Sequence, residues 1–326
     1  MLKILIDMQG CQTESRFRGI GRHVDALVHA MASQPQGHEI HLLLNGAFKD
    51  TVPALTHRFK SLLGEANIHV IDVVTPNALR EHDNTWRNDA SCLLREAYID
   101  YIAPDVLFCS SFIEGYIDDS VLSIGRLATV PVVPISYDLI PLIWKAQYLG
   151  HDARFDAYYY NRLDEMRSAH GLIAISDSSS KEAQKYLGFG TDRVFTAPAA
   201  AGDKFCKLEL DPQAIVGLRA GFGISRAFMF YTGGADHRKN LGRLVQAYAS
   251  LSPSLRSEYQ LVFAGHVQPS EVLRLRDIGQ QHGLQDTDMV FLGYVTDDDL
   301  VLLYNLAHVF VFPSLHEGFG LPALES

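Results

Sequence analysis

The sequence predicts an α/β protein built on parallel sheets and divided into two domains. Three observations carry that expectation. Short apolar runs alternate with helical patterns along the chain, the rhythm of successive βα units. Several runs are continuous in Val, Ile and Leu instead of alternating with polar residues, as strands buried on both faces require. The length of 326 residues exceeds one domain of about 150 residues, and 47% hydrophobic residues are ample for two cores.

Taken in order, strands fit Lys3–Met8, Ile40–Leu44, Ile68–Ile71, Val106–Cys109, Val130–Ser136, Gly171–Ile175 and Arg193–Ala197. Helices fit Gly21–Ser33, Asn88–Ile102, Arg154–Ala169 and Ser178–Tyr186. The opening run reads as a buried strand and not as a signal peptide, because Asp7 closes it at once. The small, polar stretch Pro198–Asp203 interrupts the pattern. It divides a Rossmann-like domain over 1–198 from a linker over 199–226 and a second Rossmann-like domain over 227–326. In that second domain, strands fit Ala227–Tyr231, Gln260–Ala264, Met289–Leu292 and Val309–Phe312. Leu241, Leu244, Val245, Tyr248 and Leu251 stand at helical spacing. The chain stops at Ser326, in what should be the first turns of a helix, so the second domain is expected to be truncated at its C-terminus.

Composition excludes several classes. A net charge of −10 argues against bulk nucleic-acid binding and against a strongly polybasic membrane surface. Cys11, Cys92, Cys109 and Cys206 form no C-x-x-C and suit a reducing cytoplasm better than a disulfide framework. No apolar run reaches the roughly 18 residues of a membrane span. The 14 histidines show no ligand spacing, so no metal or other cofactor is expected. No G-x-S-x-G elbow supports a serine hydrolase.

The chemistry concentrates in the last stretch, Phe312-Pro313-Ser314-Leu315-His316-Glu317-Gly318-Phe319-Gly320-Leu321-Pro322-Ala323-Leu324-Glu325. It reads as strand, glycine-rich turn and helix start. Amides of Gly318, Phe319 and Gly320 at a helix N-terminus would favour an anion. Glu325 lies about two turns beyond Glu317. Two acids flanking a phosphate cradle suit a sugar nucleotide; two solvated acids near a helix start are the plainer account.

This segment resembles the signature of the family 4 retaining glycosyltransferases of GT-B fold. Four other stretches resemble that family, in its order. Tyr231-Thr232-Gly233-Gly234 with Arg238-Lys239-Asn240-Leu241 looks like its phosphate loop. Phe291-Leu292-Gly293-Tyr294-Val295, with Leu300 and Tyr304, looks like the strand and helix before the acidic motif. Phe17-Arg18-Gly19-Ile20-Gly21-Arg22 looks like its N-terminal glycine loop, and Tyr137-Asp138-Leu139-Ile140-Pro141 like its interdomain-cleft motif.

The resemblance implies two Rossmann-like domains with a cleft between them. Gly19, Gly21, Gly233, Gly234, Arg238, Lys239, Gly318, Phe319, Gly320 and Leu321 would contact the donor. Glu317 would bind its sugar hydroxyls and Glu325 its ribose. Asp138, Glu317, Lys239 and Arg238 are the candidate catalytic residues; Arg18, Arg22, Tyr137 and Asp138 would face the acceptor and cleft.

Each has a plainer account. Gly19 and Gly21 would sit in a flexible surface loop; a dinucleotide fingerprint would need glycine at Val24 and a tighter turn. Asp138 would be a turn or cap residue. Arg238 and Lys239 would be a solvated pair at a helix start, although the helix dipole disfavours cations there and a bound diphosphate would reverse that. Tyr158, Tyr159 and Tyr160 with Arg162 read as a partly buried helix face. Gly234 stands where many relatives carry an arginine, and Tyr137 where many carry a histidine.

The implied reaction moves a hexosyl unit from a sugar nucleotide to the hydroxyl of a glycan or lipid-linked glycan, with retention. Asp7-Met8-Gln9-Gly10 through Arg22 looks most like the polysaccharide and O-antigen branch, often mannosyltransferases, which makes GDP-mannose the leading donor. A lipid-linked acceptor would hold a cytoplasmic enzyme peripherally at the inner membrane face. A sugar-nucleotide epimerase of the same fold and a non-catalytic nucleotide-sugar-binding fragment are the alternatives.

Overall fold

The computed structural model describes residues 1–17 and 19–326, without the side chains of residues 212–214. The chain forms two compact units, Met1–Ala199 and Ala200–Ser326.

The first unit runs β1 (Lys3–Asp7), α1 (Gly19–Ser33), β2 (Glu39–Asn45), α2 (Val52–Leu63), β3 (Ile68–Ile71), α3 (Thr85–Ile102), β4 (Val106–Cys109) and β5 (Val132–Ser136). Then follow α4 (Ile140–Ile143), α5 (Lys145–Tyr148), α6 (Ala153–Arg167), β6 (Leu172–Ala174), α7 (Asp177–Glu182) and β7 (Val194–Thr196). Its seven strands pair in parallel in the order β3-β2-β1-β4-β5-β6-β7. Strand order reverses between β1 and β4, so the loops after those strands frame the crevice where such sheets bind ligands. Leu5, Leu43, Leu107, Tyr159, Leu163 and Leu172 share one buried cluster.

Polar residues hold the β1 loop in place. Arg95 on α3 reaches the Asp7 carboxylate at the end of β1, with Nη2 at 2.6 Å and Nε at 3.0 Å. Gln9 Nε2 donates to both Asp7 oxygens and to the Val121 carbonyl. Asn45, at the end of β2, donates to Gln9 Oε1, and Gln12 bonds the Asn45 backbone in both directions. The plainer account of a flexible surface loop does not hold: the stretch forms a buried 3-10 turn, Gln9–Cys11, and a more exposed one, Glu14–Phe17, before α1. Gly21 is needed inside that helix: a Cβ there would stand 2.3 Å from Arg16 Cα.

The second unit runs α8 (Pro212–Gly221), β8 (Ala227–Thr232), α9 (Leu241–Ala249), α10 (Pro253–Glu258), β9 (Tyr259–Ala264), α11 (Pro269–Gln281), β10 (Met289–Phe291), α12 (Asp297–Leu306), β11 (Val309–Phe310) and α13 (Leu321–Glu325). Its parallel sheet has the order β10-β9-β8-β11, with the reversal between β8 and β11. Successive strand residues point to opposite faces, and both faces are covered. Tyr231, Leu261 and Phe263 pack with Leu244, Val245 and Tyr248 of α9. Phe228, Phe230 and Val262 pack with Leu300, Leu303 and Tyr304 of α12.

Several boundaries differ from the sequence reading. The stretch 199–226 is not a free linker: it contains α8, and Phe205, Leu210, Ile215, Leu218 and Phe222 pack on the second core. The strand expected over Val309–Phe312 ends at Phe310; Val311 still donates to Phe230 O, and the ladder stops before Pro313, which has no N–H. The strand expected from Val130 starts at Val132, because Pro131 contributes only its carbonyl, to Leu107 N. Helices α2, α10 and α11 had no counterpart in the sequence reading.

Candidate functional site

In the second unit the switch point is populated from both sides. The β8–α9 loop begins at Gly233, with φ +140°, and a 3-10 turn follows over His237–Lys239. The β11–α13 loop carries Glu317. The two loops are stitched together by backbone groups: Leu315 N donates to Arg238 O (2.8 Å), and Asn240 Nδ2 donates to Pro313 O (3.2 Å). Beneath them, Gly233 N donates to Ala264 O (3.0 Å) and Gly265 N to Gly293 O (2.7 Å). A Cβ on Gly265, which has φ +114°, would stand 2.4 Å from Gly233 O. Only glycine allows that approach.

On this frame Lys239 and Arg238 converge on one carboxylate. Lys239 Nζ lies 2.6 Å from Glu317 Oε1, and Arg238 Nη1 hydrogen-bonds Glu317 Oε2 and, at 3.1 Å, the His316 carbonyl. The three side chains are only 14%, 21% and 16% exposed in the order Lys239, Arg238, Glu317. Burial would raise the Glu317 carboxyl, but the Lys239 charge and hydrogen bond, the Ser314 hydroxyl and the Arg238 charge outweigh it and hold the group below the usual carboxylate range. Burial holds Lys239 below the usual lysine range; Glu317 opposes that shift and Arg238 adds to it. Tyr231, pushed above its usual range by burial, donates to the Gly234 carbonyl at 2.7 Å. Gly234 itself is exposed, and a Cβ there would meet nothing within 4 Å.

Gly320, with φ +104°, precedes α13, and a Cβ there would approach the Phe312 ring to 3.3 Å. Gly318 is buried, while Phe319 and Leu321 are half-buried. Glu325 sits in a different environment from Glu317. Its carboxylate accepts from Tyr304 Oη (3.4 Å) and lines a cavity of about 310 Å³ with Phe205, Lys207 and Asn305.

In the first unit, Tyr137 and Asp138 follow β5. Tyr137 Oη donates to the Ser110 carbonyl at the end of β4 (2.9 Å), and burial, with Cys11 and Glu114 nearby, pushes its hydroxyl well above the usual tyrosine range. Asp138 Oδ1 accepts from Ile140 N (3.1 Å), a turn contact that opens α4. Two residues the sequence did not single out for this site hold the segment: Ser179 Oγ donates to Tyr137 O (2.6 Å), and Glu182 accepts from Leu139 N (3.1 Å). Glu114 was missed as well. It accepts from Ser15 (2.7 Å) and Ser111 (2.9 Å), tying the β4 loop to the β1 loop, and burial raises its carboxyl despite those bonds. Its only sequence signal was an acid soon after a strand end. Gly19 is the first residue of α1 and Arg22 is exposed on it; Arg18 lies outside the described residues. Tyr158, Tyr159 and Arg162 are buried on α6, with Arg162 donating to Leu122 O (2.6 Å). Among the described residues, no cluster of three or more His, Cys, Asp or Glu is placed to hold a metal, and no helix is long and apolar enough to cross a membrane.

Two family models match the chain: "Glycosyltransferase Family 4" over residues 17–200 and "Glycosyl transferases group 1" over residues 221–326. A "Serotype-specific mannosyltransferase WbdA" of Escherichia coli is 37% identical over 328 residues, covering 100% of this chain and 39% of that protein. An Escherichia coli "O-antigen chain mannosyltransferase B" is 30% identical over 166 residues, 50% of this chain and 42% of that protein. The chain spans about two fifths of the length of the curated relatives it matches. Among solved structures, Anabaena HepE in complex with UDP and glucose aligns with TM-score 0.63 at 16% identity, over 100% of this chain and 78% of that one. WaaG, a glycosyltransferase involved in lipopolysaccharide biosynthesis, aligns with TM-score 0.62 at 16% identity, over 99% and 78%. These likenesses place the fold among the GT-B proteins.

Proposed function

Because the chain belongs to glycosyltransferase family 4, we propose that it transfers a hexosyl unit from a sugar nucleotide to a glycan hydroxyl, with retention at the anomeric carbon. The observation that carries the reading is the Lys239–Arg238–Glu317 cluster, half-buried where the sheet order reverses. Lys239 and Arg238 hold the diphosphate, Glu317 the donor hexose, and Glu325 the ribose. Gly233, Gly234, Gly318, Phe319, Gly320 and Leu321 shape the donor loops. In the first unit, Arg18, Arg22, Tyr137 and Asp138 are the candidates for the acceptor, and Gly19 and Gly21 shape the start of α1 beside them.

The chemistry follows from charge. The anomeric carbon–oxygen bond to the diphosphate breaks as the bond to the acceptor oxygen forms on the same face. The acceptor proton passes to a leaving phosphate oxygen. Negative charge grows on the diphosphate, so fixed cations and amide dipoles aimed at it lower the barrier without a metal. The mannosyltransferase names of the Escherichia coli relatives support mannose as the transferred sugar, and GDP-mannose is the donor proposed for it. They equally support an O-antigen glycan acceptor, which on a lipid carrier would bring the protein to the inner membrane face.

Radiolabelled GDP-mannose, UDP-glucose and ADP-glucose, each supplied with mannose-terminated oligosaccharides, test the proposal. Extension of the acceptor by one mannose, with the α configuration kept, is the expected result. Isomerisation of the donor without acceptor would replace the proposal with an epimerase. No turnover of any donor would refute it for this chain.

A further inference from the structure

The cations assigned to the diphosphate already have an anionic partner. Lys239 Nζ and Arg238 Nη1 take separate oxygens of the one Glu317 carboxylate. A nucleoside diphosphate that reaches those cations must share them with Glu317 or displace it from one or both. The displaced carboxylate cannot move far. Its loop is fixed to the β8–α9 loop through Leu315 N, Asn240 Nδ2 and the contact of Arg238 with the His316 carbonyl. Two anions then share a poorly solvated space, 16% exposed at Glu317, where repulsion is weakly screened.

A sugar on the diphosphate changes the balance. Its hydroxyls are donors, and a carboxylate that shares or loses its cationic partners is a strong acceptor for them. A nucleoside diphosphate alone offers nothing in their place. We infer that Glu317 discriminates between the sugar nucleotide and the nucleoside diphosphate left after transfer, by competing with the latter for Lys239 and Arg238. The inference rests on the donor reading above and extends it. Glu317 favours loading of the intact donor and release of the spent one.

Titration calorimetry on wild type, Glu317→Gln and Glu317→Asp tests this. The probes are inorganic pyrophosphate, GDP, UDP and ADP, with GDP-mannose, UDP-glucose and ADP-glucose. Glu317→Gln removes the competing charge and keeps the shape. We expect it to bind pyrophosphate and the matching nucleoside diphosphate about ten-fold tighter than wild type, a change of about 1.4 kcal/mol. The sugar nucleotide should gain nothing, so the preference for it over the diphosphate falls about ten-fold. Glu317→Asp keeps the charge and should keep most of the preference; it serves independently if Glu317→Gln proves unstable. Equal or weaker diphosphate binding by Glu317→Gln, with wild type still binding the sugar nucleotide, would overturn the discrimination and leave the donor site standing. Failure of all three proteins to bind any probe would overturn both.

Discussion

Arg95→Met should destabilise the first unit severely. Arg95 is fully buried, and the Asp7 side chain is 2% exposed. Arg95 supplies two of the hydrogen bonds at Asp7, at 2.6 and 3.0 Å. Without it, Asp7 keeps, among the described residues, only the Gln9 amide donors at 3.1 Å and no cation. Leaving one partner of a buried ion pair uncompensated costs about 3–5 kcal/mol. For a unit of this size each kcal/mol lowers Tm by about 2–4 °C, so the expected fall is about 6–20 °C. Calorimetry gives the transition, and hydrogen exchange on β1 and β4 amides assigns it to the first unit. Replacing both residues, Asp7→Leu with Arg95→Met, removes charge and partner together and should recover much of the loss. A fall below about 2 °C in the single variant, or a double variant worse than it, would refute the account of how the β1 loop is anchored.

Three further outcomes follow from the geometry. Gly265→Ala should destabilise the second unit by about 1–3 kcal/mol and weaken nucleotide binding, because its Cβ would stand 2.4 Å from the Gly233 carbonyl; thermal unfolding and calorimetry read both. Burial would raise the Glu96 carboxyl, but the Ser123 hydroxyl and the Leu127 and Ala128 amides hold it below the usual range. Its contribution is therefore present above about pH 4.5 and lost as pH falls through the lower folded value, so Glu96→Gln should flatten the acid limb of a stability–pH profile. We propose that transfer needs no metal, so EDTA should leave turnover unchanged, and loss of activity restored by a divalent cation would contradict it.

Much of this protein is written in its sequence, and the exceptions share a cause. The central parallel strand Val106–Cys109 is bounded as expected, because a strand buried on both faces has an unbroken apolar run; the edge strand Ile68–Ile71 also has the expected bounds, although His69 interrupts its run. Helix α3 was foreseen as a helix, but its orientation could not be read from apolar spacing. It buries Asn88, Arg95 and Glu96 and exposes Trp86, Leu93, Leu94 and Tyr101. Distant partners account for the buried polar groups: Asp7 for Arg95, Ser123, Leu127 and Ala128 for Glu96, and Asn77 for Asn88. The stretch 199–226 misled in the opposite sense: its small and polar start hid the apolar side chains further on that complete the second core. The site shows the same division. Lys239, Arg238 and Glu317 stand out locally through glycine and charge patterns. That all three meet depends on β8 and β11 being neighbours, a pairing across about 80 residues of chain. The supports at Ser179, Glu182 and Glu114 are long-range hydrogen bonds with no local signature.

The most direct test of the central claim is the transfer rate of Lys239→Met beside wild type, with the donor that wild type accepts. Losing a fixed cation aimed at the leaving diphosphate should lower kcat about 10²–10³-fold, with Lys239→Arg retaining part of the rate. A kcat within about three-fold of wild type for Lys239→Met would contradict a diphosphate site at Lys239, Arg238 and Glu317.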